Sequence, residues 1–138
     1  MPADEKVLQQ ELIRIAQHLP TTYFMAVVTV DGLIVAYAQI QPWNSGGTFQ
    51  VDDEDRISAM SAADLAMGER RARELGAGDY RFNIVRGSEG SVFNILMGDD
   101  YLLTFGIRQV QSMDATLKTL QQHWGELLHL LEVPEQKR

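Results

Sequence analysis

The sequence predicts an α+β domain: a single five-stranded antiparallel sheet with helices on both faces, in the order α-β-β-α-β-β-β-α. Three observations carry this. Two strand-like runs, Tyr23 to Val30 and Leu33 to Ile40, are separated only by Asp31-Gly32, a pair favoured in type I′ hairpins. Three more strand-like runs follow one another across short glycine-containing turns, which argues for an antiparallel meander. Between the two groups lies a helix whose small and apolar residues occupy two faces instead of one.

Taken in order, Lys6 to Leu19 places Leu8, Leu12, Ile15, Ala16 and Leu19 at helical spacing, and Pro20 stops it. The hairpin follows. Gln41 to Val51 is turn-rich and carries Trp43 and Phe49, which either fold onto the core as satellites or offer a partner surface. The central helix opens at Asp52-Asp53-Glu54-Asp55 and closes near Gly76, with carboxylates in its first turn and Arg70, Arg71 and Arg73 in its last, as the helix dipole favours. One of its faces is Ile57, Met60, Ser61, Leu65 and Gly68; the other is Ala59, Ala62, Ala63, Ala66 and Met67. One face is expected to cover the chain's own sheet and the other to meet a second subunit. The alternative is a core helix sandwiched within one chain. Asp64 lies between the faces, where an unpaired buried carboxylate is costly, so it is expected at the wet rim, or else bonded across the subunit contact.

Gly76-Ala77-Gly78 supplies a left-handed helix exit. Tyr80 to Arg86 alternates, with Tyr80, Phe82 and Ile84 expected on one face. Ser88-Glu89-Gly90 turns into Ser91 to Met97, and Gly98-Asp99-Asp100 into Tyr101 to Ile107. The last helix starts near the N-cap candidate Ser112 and stripes Met113, Leu117, Leu120, Trp124, Leu127 and Leu131 toward the sheet. With 138 residues and no linker or repeat, one domain spans the chain, its core running from about Val7 to Leu131 with a polar tail over 132–138.

Composition narrows the function. A net charge of −7 has the wrong sign for a general nucleic-acid binder. The apolar runs are strand-sized, so no direct membrane insertion is expected, and the N-terminus does not resemble a signal peptide; a cytoplasmic location is the default. The absence of cysteine removes thiolate metal sites and cysteine nucleophiles. No phosphate loop or nucleophile elbow is present, and His123 and His129, six apart on one helix, do not share a face. No catalytic, metal or cofactor residues are assigned.

Element order and particular residues together resemble the Roadblock family of longin-like domains, named for a dynein light chain. The matching pieces are the hairpin from Ala26 to Ala36, the small-residue helix from Ile57 to Gly68, the Gly76-x-Gly78 exit and Gly98-Asp99-Asp100-Tyr101-Leu102-Leu103. The resemblance implies a non-enzymatic homodimer in which the second helices pack together and the third strands pair edge to edge. Ile57, Met60, Ser61, Asp64, Leu65, Gly68, Tyr80, Phe82 and Ile84 would then form the interface. It also implies binding or regulation of a small Ras-like GTPase, or an adaptor role in a larger assembly. The long Gln41 to Val51 insertion departs from the family pattern. The rival reading is a ligand-sensing domain resembling the profilin-like family, with a pocket between sheet and helix.

Overall fold

The computed structural model describes residues 4–40, 53–108 and 112–134. Helix α1 (Glu5–Ala16) opens on the Asp4 carboxylate, which accepts the Val7 N–H at 3.0 Å and so satisfies one orphan donor of the first turn. Strands β1 (Thr22–Thr29) and β2 (Ile34–Gln39) follow, then helix α2 (Asp53–Glu74). Strands β3 (Phe82–Gly87), β4 (Gly90–Met97) and β5 (Tyr101–Ile107) precede helix α3 (Met113–Leu130). The five strands form one sheet in the order β2-β1-β5-β4-β3, every pairing antiparallel, so β5 lies at the centre and β2 and β3 are the edges.

Period-two alternation divides the sheet into unlike faces. One carries Met25, Val27, Phe93, Met97, Leu103 and Phe105, sealed by Leu8, Leu12 and Ile15 of α1 and by Leu120 and Leu127 of α3. Phe93 and Phe105 oppose each other in register and stack, with ring centroids 4.8 Å apart. The second face carries α2 over a small cluster of Val28, Leu65, Tyr80 and Leu102. Helix α3 begins as expected, the Ser112 hydroxyl accepting the Ala115 N–H at 3.2 Å. Its stripe is buried at Leu120, Leu127 and Leu131, while Met113 stays half exposed.

Two local expectations are corrected. The first connection is not a type I′ turn, because Gly32 alone takes the left-handed conformation, at φ +95°, and Asp31 does not. The loop spans three residues, with the Gly32 N–H donating to the Thr29 carbonyl and the Thr29 N–H to the Leu33 carbonyl. Val30 donates its N–H to the Asp100 carbonyl at 2.9 Å, a tie to the neighbouring turn that draws it toward β5. The second correction is Tyr80, which precedes β3 and lies under α2. Phe82 and Ile84 pair in register with Ile95 and Phe93 and face the α1/α3 side, so Tyr80 does not share their face.

Candidate partner interface

Helix α2 is small where it meets its own sheet. Ser58, Ser61 and Leu65 are buried there, and Gly68 lets the helix come down onto the Tyr80 ring. A Cβ on Gly68 would fall 2.3 Å from Tyr80 Cε1, closer than any packed side chain tolerates, so the close approach requires glycine. The Tyr80 hydroxyl donates to the Asn94 carbonyl at 3.3 Å. Burial pushes the Tyr80 pKa up to about 12, with the Asp64 carboxylate adding to the rise, so the phenol remains a donor.

A polar chain links helix to sheet. Asn94 Nδ2 donates to Asp64 Oδ2 at 3.3 Å and to Asn83 Oδ1 at 3.2 Å. Asp64 therefore has a partner within its own chain, where the sequence suggested open water or a bond to a second copy. Asn94 and the Thr104 opposite it are both 1% exposed, and Asn94 Oδ1 and Thr104 Oγ1 have no hydrogen-bond partner among the described residues.

The outer side of α2 is apolar and open. Met60 and Met67, two turns apart, are each 60% exposed, and Ala63 and Ala66 between them and the adjacent Ala59 are exposed too. The residues expected at a subunit interface differ in exposure within the single chain. Ser61, Leu65 and Tyr80 are buried within the chain itself. Gly68 is spent on the contact with Tyr80. Ile57, Asp64 and Ile84 are half-buried, and Met60 and Phe82 are exposed. Met67 and the alanines belong to the face that the sequence grouping kept apart from Met60. Trp43 and Phe49 lie outside the described residues.

Edge strand β3 adjoins this face. Arg81 and Asn83 pair with β4 through their backbones, so by alternation the N–H and C=O groups of Phe82, Ile84 and Arg86 point away from the sheet. The opposite edge is guarded: Gln9 of α1 donates through Nε2 to the Tyr37 carbonyl of β2 at 2.8 Å. Between α2 and β3 runs an open groove of about 460 Å³ that includes Met67, Arg71 and Phe82.

The model of the Roadblock/LC7 domain matches residues 8–106 of the chain. The chain belongs to the Roadblock/LC7 family. Its fold is shared by solved members at low identity. The Roadblock/LC7 domain from Streptomyces avermitilis superposes with a TM-score of 0.75 at 15% identity, covering 91% of this chain and 98% of that one. MglB from Myxococcus xanthus superposes at 0.73 and 15% identity, covering 91% and 95%. The wider profilin-like likeness is also present: profilin IB of Acanthamoeba castellanii gives a TM-score of 0.55 at 11% identity, covering 88% and 97%. No curated protein sequence matches the chain. Among the described residues no helix is long and apolar enough to cross a membrane.

Proposed function

We propose that this Roadblock/LC7 chain is a homodimeric regulator or adaptor, without chemistry of its own, that acts in the cytoplasm by binding a small Ras-like GTPase. The observation that carries the dimer is the open apolar face of α2, Met60 to Met67, beside an edge strand whose backbone groups are unpaired within the described sheet. Charge supports a two-fold pairing. Helix α2 is acidic at its start, with Glu54 and Asp55, and basic at its end, with Arg70, Arg71 and Arg73. A two-fold axis across the helix lays the acidic start of one copy along the basic end of the other. Arg70 and Arg73 are held in exposed pairs with Glu74 and Glu69, and Arg71 has no ion pair among the described residues.

Membership of the Roadblock/LC7 family supports a small GTPase as the partner class. The dimer would act by complementarity, favouring one arrangement of the GTPase switch loops over another. The experiment is to mix the purified protein with a small Ras-like GTPase encoded by the same organism, measuring complex formation and nucleotide hydrolysis. Binding, with or without a change in hydrolysis rate, supports the reading. Neither binding nor any change in rate overturns the GTPase as partner while leaving the dimer to be tested separately by sedimentation.

A further inference from the structure

A row of side chains crosses the sheet beneath α2. In register from β1 to β3 it is Ala26, Thr104, Asn94 and Asn83. Nδ2 of Asn94 is committed on one side, donating to Asn83 Oδ1 on the neighbouring strand and to Asp64 Oδ2 on the helix. A carboxamide is planar, so an amide nitrogen turned toward β3 turns Oδ1 the other way, toward Thr104 on β5. The hydrogen-bond chain breaks there. Asn94 Oδ1 and Thr104 Oγ1 bond neither each other nor any other group among the described residues, and both residues are only 1% exposed.

The break is costly, because a buried polar network with members left unsatisfied is worse than apolar packing. Asn94 has no means of repairing it by rotation: bringing Oδ1 to another partner gives up both bonds made by Nδ2. An acceptor beside a hydroxyl, which both donates and accepts, is a partner set that one water satisfies. The flanking residues are small. Ala26 lies beyond Thr104, and Ser61, buried on the sheet-facing side of α2 one turn before Asp64, adds a further hydroxyl to the same layer. We infer that Asn94 Oδ1 and Thr104 Oγ1 together bind one internal water between β4, β5 and α2. It completes a chain from Asp64 through Asn94 to Thr104, so the helix that carries Met60 and Met67 is joined to the centre of the sheet through solvent. This site does not depend on self-association or on a GTPase.

The test pairs two measurements on the full chain. In water–protein NOE and ROE spectra, cross-peaks are expected from water to the Asn94 side-chain amide and to the methyl group at position 104, with the sign of a water that tumbles with the protein. A crystal structure should place one ordered water roughly 2.7–3.2 Å from both Asn94 Oδ1 and Thr104 Oγ1. Thr104→Val keeps the shape and removes the hydroxyl, and should lose the cross-peaks and the ordered water while Asn94 Nδ2 keeps its bonds to Asp64 and Asn83. Thr104→Ser keeps the hydroxyl and should keep the water, which separates loss of the hydrogen-bonding group from a loosened core. A wild-type spectrum without these cross-peaks, a direct Thr104–Asn94 hydrogen bond in the crystal, a water that survives Thr104→Val, or its loss from Thr104→Ser overturns the inference.

Discussion

The two faces of the sheet are held by different means. The α1/α3 side is a thick apolar layer in which Phe93, Phe105, Leu12, Ile15 and Leu127 are almost fully buried. On the α2 side, among the described residues, the cluster beneath the helix is Val28, Leu65, Tyr80 and Leu102, and around it lie serines, Asn94, Thr104 and the Asp64–Asn94–Asn83 chain. Apolar burial is non-directional and scales with area, so the first side tolerates repacking. Hydrogen bonds and a glycine–tyrosine contact fix one height and one direction for α2, at little gain in area. The exposed residues differ too. Val7 and Ile13 on α1 are isolated and about two-fifths exposed, whereas Met60 and Met67 sit in one stripe with three alanines. The contrast suggests that one side of the sheet supplies most of the stability and the other presents a shaped surface.

Mutations can break or sharpen this contrast. The largest effect is expected from Phe93→Ala, which removes a stacked ring from the thick layer and should cost about 3–5 kcal/mol in urea unfolding. A cost below that of any α2-side change would undo the ranking. Gly68→Ala, one methyl group added, should cost about 1–3 kcal/mol because Tyr80 or α2 must move aside. Its signature is a shifted Tyr80 environment in NMR spectra, and a neutral result would show that the contact is slack. Asn94→Ala should cost about 1 kcal/mol, since losing two donated bonds is partly offset by removing an orphaned oxygen.

Met67→Glu reverses the pattern: within about 0.5 kcal/mol of wild type in stability, as exposed substitutions usually are, yet monomeric by analytical ultracentrifugation. A dimeric Met67→Glu would place the subunit contact elsewhere. The smallest effect concerns the seam between α1 and α3, where His18 and His123 stack with centroids 4.6 Å apart. Burial, and then the neighbouring His18 and Arg14, hold His123 below its ordinary value. Folding thus favours the neutral ring. Its contribution is present above pH of about 6.5, the free histidine value, and is lost as pH falls through it toward the lower folded value. The melting temperature of His123→Gln should therefore fall less than that of wild type between pH 7 and 5, and parallel curves would remove the histidine from the account.

Much of the fold was legible because its signals are local. The apolar stripe of α1, the Ser112 cap and the glycine-marked turns each name an element without reference to the rest. The site was half legible. Two small-residue faces on α2 could be read from spacing, but their roles could not, because Ser61 and Ala63 are both small and only the position of the sheet distinguishes them. Burial settled it, Ser61 going inward and Met60 and Met67 outward. Tyr80 was misplaced for a related reason: alternation extends a strand backward until something ends it, whereas the ring fits beneath Gly68 and its hydroxyl bonds Asn94, 14 residues away, a pairing no local window shows. Asp64 did signal that a partner was needed, but Asn94 lies 30 residues away and becomes its neighbour only through sheet register.

By itself, the sequence determined which segments are helix and strand, their order, and that α2 would be apolar on more than one side, because periodicity and turn chemistry act within a few residues. Tertiary structure alone decided which side of α2 is spent on the chain's own sheet and which edge of that sheet is left open. These depend on the register and packing of elements far apart in the chain, and no local pattern encodes a distance between them.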